Sequence, residues 1–189
     1  MNESEIITPT AFRNIITRNL PKTSQRVSYA AEDDGDYEAG WWRGKTNEQN
    51  RKRFIAKTIL GDRILLDRAT GLMWPGSYLS DGCNGGVSDL WTDALFWAMA
   101  LSFAGFSDWR LPNLNELASL LNHDGPQPYV PVSFRDFPPE DFTIYWFWTS
   151  TTNHRNTTQA FGVHFGALMI REGLGKANLY KMMAVRKGV

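Results

Sequence analysis

The residues able to do chemistry in this chain are few and scattered. Ser150 and Thr151 stand near His154 and His164, and Asp136 and Asp141 precede them. A hydroxyl, imidazole and carboxylate set can therefore be written on paper. No nucleophile-elbow sequence surrounds it, and hydroxyls that follow an aromatic strand are commonly satisfied by backbone bonds. Asp136, Glu140 and Asp141 are the paired carboxylates available for glycosidic chemistry, but they sit in a Pro-rich loop with no sign of burial. His123, His154 and His164 lack the spacing of a zinc site, and a lone cysteine, Cys83, cannot supply a thiolate pair. Asp33, Asp34, Asp36 and Glu38 form an acidic knot without the spacing of an EF-hand loop, so a solvated turn is expected there. No catalytic residue, no metal and no cofactor is expected.

The elements that would position these groups follow from pattern. The chain has 189 residues, 42% hydrophobic and 21% charged, which suits one soluble globular domain. Eight Trp and eleven Phe beside 16 Gly and 9 Pro predict a loop-rich fold held together by aromatics. Thr8-Pro9 reads as a helix start, and Phe12, Ile15, Ile16 and Leu20 give it an apolar stripe that Pro21 ends. We divide the chain into an N-terminal helical arm, residues 1–25, and a ligand-binding domain, residues 26–189. The arm must bury its stripe on its own domain or on a second subunit, which would make a homo-oligomer.

Strands are expected at "RFIAKTIL" and "RILLD" around a Gly61-Asp62 turn, with a second turn at Ala69-Thr70-Gly71 before "LMW". Trp91, Ala94, Leu95, Ala98, Leu101 and Ser102 share one helical face, and Phe96, Trp97, Ala100 and Phe103 cover much of the rest. That helix is expected to be buried on most sides. Asn113 with Glu116 predicts a capping box and a second helix. Residues 125–143 read as Pro-rich loop, and strands are expected again at 160–165, 167–171 and 184–186. "SDGCNGG" at 80–86 is a glycine-rich loop that lacks the ending of a phosphate cradle.

This order of elements, with "TGLMW", "GFSDWRLPNLNEL", "YWFWTST" and the terminal "AVRKG", resembles the C-terminal domain family of the Legionella collagen-like adhesin over roughly residues 30–187. The resemblance implies an α+β, C-type-lectin-like fold: two helices packed on antiparallel strands with long irregular loops. It also implies that Trp74, Trp109, Arg110, Pro112 and Trp148 are scaffold, with Asp108 or Glu116 as the partner of Arg110. Formylglycine-generating enzymes share such a fold, but their chemistry uses cysteines, and Cys83 alone is a poor candidate. Calcium-type sugar binding is unsupported, since "QPY" at 127–129 has no Trp-Asn-Asp companion.

A narrower resemblance is to the variable proteins of diversity-generating retroelements, whose C-terminal segment displays residues changed by adenine-directed mutagenesis. The residue types that such mutagenesis of Asn codons allows occur at Asn153, His154, Arg155, Thr157, Thr158, Gly162, His164, Gly166, Ala167, Arg171, Gly173, Ala177 and Tyr180. These are the candidate ligand-binding residues. Their mixed Thr, Asn, His, Arg, Gly and Tyr composition suits a paratope-like surface.

Charge decides among partners. Net charge is zero, yet residues 150–189 carry six basic and one acidic side chain. The expected partner is a protein or surface receptor, with a sulfated glycan or other polyanion as the alternative. Nucleic acid is not expected, because no ribonucleoprotein or helix-turn-helix signature is present. Membrane insertion is not expected either, since the longest nearly apolar run, Ala94 to Phe106, falls short of the ~20 residues a span needs. The start, "MNESEIITPTAF", does not read as a signal peptide, which suits a virion-associated protein or one cytosolic before export.

Overall fold

The computed structural model describes residues 23, 25, 27–37, 53–123, 127–134, 142 and 144–188. Most of the N-terminal arm of residues 1–25 (1–22 and 24), with its apolar stripe, and Glu38, Asp136, Glu140 and Asp141 lie outside the described residues. A short helix α1 (Asp34–Tyr37) precedes a first antiparallel sheet of strands β1 (Phe54–Ile59), β2 (Asp62–Asp67), β3 (Leu72–Pro75) and β7 (Arg186–Lys187), in that order. Helices α2 (Trp91–Ala100) and α3 (Leu114–Ala118) follow. A second antiparallel sheet has the order β4 (Phe147–Thr152), β5 (Gln159–His164), β6 (Met169–Gly175). The protein is thus α+β, with two antiparallel sheets and few helices.

The first hairpin turns on Leu60 and Gly61, one residue earlier than expected, because Ile59 pairs with Asp62. Both turn residues have positive φ, 52° and 93°, the combination a two-residue type I′ turn requires. At the next turn Asp67 organises the chain. It accepts from Ala69 N–H (3.0 Å) and Thr70 Oγ1 (2.7 Å) while paired to Arg53 at 2.7 Å. Both charges are buried, so the pair survives only through its complete set of hydrogen bonds.

The aromatics are scaffold. Trp148 Nε1 donates to the Asp89 carbonyl (2.9 Å), Trp91 Nε1 to Thr149 (2.8 Å) and Trp109 Nε1 to Phe103 (2.9 Å). Each indole fills apolar space and ties a loop at once. The main core gathers Trp74, Leu117, Phe134, Phe142, Phe147 and Phe165. Phe134 and Phe142 come from the stretch expected to be plain loop, and both are fully buried.

The second sheet is covered on both faces. Alternate side chains of a strand point to opposite faces. Phe147 and Val163 join Leu117 of α3, whereas Trp148 and Ala160 join Ala94 and Ala98 of α2. Small residues on α2 let its backbone approach the Trp148 ring. Among the described residues the far side of α2 is open: Phe96 is 64% and Met99 68% exposed. The expectation of burial on most sides is not met, because one sheet covers one helix face and, among the described residues, no second layer lies beyond it.

Helix α3 carries the expected capping box. Glu116 N–H donates to Asn113 Oδ1, and Asn113 N–H donates to Glu116 Oε2, each at 2.9 Å. Such a cap contributes ~1 kcal/mol. Glu116 also takes both arms of Arg110, at 2.7 and 2.5 Å. Asp108 pairs instead with Arg186, at 2.6 and 3.1 Å. Arg110 is exposed and not core, but Trp74, Trp109, Pro112 and Trp148 are buried.

Candidate functional site

Residues 153–158 connect β4 to β5, and residues 176–178 follow β6. The two connections touch. Lys176 N–H donates to the Thr158 carbonyl (3.0 Å), and Asn153 Nδ2 donates to the Glu172 carbonyl (3.0 Å). Within the first connection Asn153 N–H reaches Gln159 O (3.0 Å), and Arg155 N–H reaches Asn153 Oδ1 (3.0 Å). Asn156 Oδ1 accepts from Thr158 N–H and from Thr158 Oγ1 (2.7 Å). Backbone and short polar side chains fix this loop, and its longer side chains point outward.

Beside it stands Lys176. Its Nζ donates to Thr152 Oγ1 (2.9 Å) and lies 3.7 Å from the centroid of the Trp91 ring. Desolvation by burial lowers its pKa from the ordinary lysine value, since burial disfavours the charged form.

The sequence-chosen residues fall into three groups. His154, Arg155, Thr157, Thr158, Ala167, Arg171 and Ala177 are exposed, and His164, Gly173 and Tyr180 are half-buried. Asn153, Gly162 and Gly166 are buried, which removes them from the outer surface. A Cβ on Gly162 would collide with Leu174 Cδ1 and approach Phe147 O to 2.9 Å. The exposed and half-buried positions are also not one cluster. The 154–158 connection and the 165–168 turn lie at opposite ends of β5, ~20 Å apart for six strand residues. His164 and Ala167 therefore belong to a separate end of the sheet.

Sequence reasoning missed Asn156, Lys176, Thr152 and Trp91. Lysine and tryptophan lie outside the residue set used to choose candidates, and no sequence spacing links Trp91 to Lys176.

The structure gives no support to the paper triad. Thr151 Oγ1 accepts from Leu114 N–H (3.0 Å), and His164 Nδ1 accepts from Gly166 N–H (3.1 Å). No hydrogen bond joins Ser150 or Thr151 to either histidine. Burial lowers the His164 pKa, against contacts with its own and the Ile144 backbone that raise it. Cys83 is buried, and desolvation pushes its thiol pKa far up, so it has no thiolate character. Among the described residues no group of three His, Cys, Asp or Glu side chains could hold a metal ion. Asp33 accepts from Tyr29 N–H (2.8 Å) and Gly35 N–H (2.8 Å), the bonding of a turn. A cleft of about 410 Å³, lined by Phe54, Ile55, Ala56, Arg63, Arg68 and Ser133, lies on the first sheet, away from these residues. Among the described residues no helix is long and apolar enough to cross a membrane.

A two-sheet α+β domain whose indoles brace polar connections is the class of protein these observations define. The chain belongs to the Lcl C-terminal domain family, whose model matches residues 63–186. The match begins within β2, so α1 and β1 precede it. A comparison with curated proteins returns no match.

Proposed function

We propose that this chain is a non-enzymatic binding module that presents the joined 153–158 and 176–178 connections to a protein or surface receptor. The observation that carries the reading is that junction. Two exposed stretches are held together by Lys176 N–H to Thr158 O and by Asn153 to Glu172. His154, Arg155, Thr157 and Ala177 stand outward from it. Rigid support with freely changeable tips is what recognition loops need. A C-type-lectin-like scaffold is the finer fold reading, supported by the helix pair and the return of β7 to the N-terminal hairpin. Diversification by a retroelement fits the exposed positions and would have to spare Asn153, Gly162 and Gly166. A near-repeat of the 3′ coding end that differs at adenines, beside a reverse transcriptase gene, tests it. Without those neighbours diversification is dropped.

Receptor binding is tested by panning labelled protein on arrays of extracellular proteins and glycans. Binding should be lost on joint alanine substitution of His154, Arg155, Thr157 and Thr158, and kept in Lys57→Ala with Thr58→Ala on β1. Equal loss from both variants would move the site elsewhere.

A second reading, an adhesin-like domain for sulfated glycans or other polyanions, is favoured by exposed Arg155 and Arg171 and by Lys176. Heparin retention that weakens steeply with salt, and is lost in Arg155→Ala with Arg171→Ala, supports it. No retention at low salt rules it out.

A further inference from the structure

Strand β6 is the outer strand of the second sheet. Over its first residues the pairing with β5 is regular: Met169 with His164, Ile170 with Val163 and Arg171 with Gly162. The register shifts beyond Arg171, where Ala160 pairs with Leu174. A shift of this kind bends a strand and interrupts its pairing. Three consecutive residues thus form a regular outer edge, and all three are exposed.

Alternation divides them between the two faces of the sheet. Ile170 lies on the face of Val163. Met169 and Arg171 lie on the other face, with His164, Gly162 and Trp148. There Met169 ends a row of side chains: the Trp146 ring packs edge-on to His164 at 5.0 Å, and His164 pairs with Met169. Beyond Trp146, the Tyr180 ring packs on Trp148 at 4.7 Å. Met169 and Ile170 are each 48% exposed. Arg171 stands beside Met169 on the same face, and among the described residues no carboxylate pairs with its guanidinium.

We propose that this edge binds an extended acidic peptide segment of another protein, which adds to the sheet as an antiparallel strand beside β6. Main-chain bonds to an open edge supply attachment, and side chains opposite the edge residues supply selection. Directly opposite residues share a face and lie ~4.5–5.5 Å apart. The segment therefore carries a carboxylate opposite Arg171 and an apolar side chain opposite Met169, where it prolongs the row from Trp146 and His164. A second apolar side chain covers Ile170 on the other face. From its N-terminus the segment reads acidic, apolar, apolar. A second copy of this chain matches the edge poorly. Two-fold pairing centred on Ile170 sets Arg171 against a methionine, and pairing centred on Arg171 sets like charges together, which destabilises. The outer strand of the first sheet, β1, exposes Ala56, Lys57 and Thr58, and a lysine on an edge is a common guard against pairing. The β6 edge adjoins the 165–168 turn, away from the 153–158 connection, so this site is separate from the one proposed above.

The test titrates the isotope-labelled full chain with two capped peptides, "TTDVLTT" and "TTKVLTT", and follows amide shifts by NMR. The expected result is saturable shifts at Met169, Ile170 and Arg171, with the aspartate peptide bound about threefold tighter or more. Arg171→Glu should reverse that order, and Lys57→Ala with Thr58→Ala should leave it unchanged. Equal affinity for the two peptides overturns the proposal, as does an order that Arg171→Glu leaves in place. No shift at β6 with peptide in millimolar excess, or shifts confined to β1 or to 153–158, overturns it too. Protection of the β6 amides that grows with protein concentration, without peptide, makes a second copy the occupant instead. A heparin oligosaccharide that shifts Arg171 while neither peptide does gives that charge to the polyanion reading and sinks this one.

Discussion

Asn153 and Glu172 are joined across the end of the second sheet: the Asn153 carboxamide donates to the Glu172 carbonyl at 3.0 Å. The same carboxamide reaches Gln159 Oε1 (3.4 Å) and accepts from Arg155 N–H (3.0 Å). Asn153 is buried, but the side chain that follows it, His154, is exposed. A buried bracing residue and an exposed one thus stand side by side in the chain.

Asn153→Ala removes a buried carboxamide that bonds Glu172 O, Gln159 Oε1 and Arg155 N–H, and should cost ~1–3 kcal/mol. His154→Ala, on the open side of the same connection, should stay within ~0.5 kcal/mol. Urea unfolding of the two variants checks this. Equal effects would mean that the loop is not braced from Asn153.

Two glycines separate in the same way. Gly162→Ala drives a methyl into Leu174 and Phe147, and overpacking of that kind costs ~1–3 kcal/mol. A Cβ at Gly173 meets Gln159 Oε1 at an ordinary 3.6 Å, so Gly173→Ala should be tolerated within ~0.5 kcal/mol. Thermal melts of both proteins decide the matter.

Asp67→Ala strands the buried Arg53 guanidinium and frees Ala69 N–H and Thr70 Oγ1. A loss of ~3–5 kcal/mol is expected. The double variant Arg53→Met with Asp67→Ala should recover part of it, because the unpaired charge is gone. A double variant no better than Asp67→Ala alone would show that the turn bonds, and not the ion pair, carry the cost.

His164 should make the protein's stability depend on pH. Its folded pKa lies below the ordinary 6.5, so the unfolded chain takes up a proton first as pH falls. The contribution is complete above about pH 6.5 and is lost as pH drops through that value toward the folded pKa. Protonation also requires Nδ1 to give up the Gly166 N–H bond. The melting temperature should therefore fall between about pH 7 and pH 5, and His164→Gln should flatten that slope. A slope unchanged in the variant would assign the effect to another group.

Much of this architecture was readable from local chemistry. The Asn113–Glu116 capping box, the hairpin around Gly61 and the inward face of α2 follow from spacing alone. What failed depended on long-range pairing. Asp108 and Glu116 looked equally suited to Arg110, until Arg186, brought alongside by β7, took Asp108. Phe134 and Phe142 lie in a Pro-rich stretch without periodicity, so nothing local marked them as core. At the candidate site, residue type picked exposed His154 and Arg155 together with buried Asn153, Gly162 and Gly166, and passed over Lys176 on Trp91, a contact made only when β6 returns beside α2.

The place of β7 has a further consequence. Arg186 sits against Met73 Sδ (3.7 Å), 113 positions earlier in the chain, and Lys187 pairs with Leu72. The first sheet therefore stays one strand short until the 186–187 segment has left the ribosome. A product cut off inside the 153–180 region lacks the strand that closes the sheet. Fragments of that kind would expose the Leu72–Met73 edge of β3 that Arg186 and Lys187 otherwise pair.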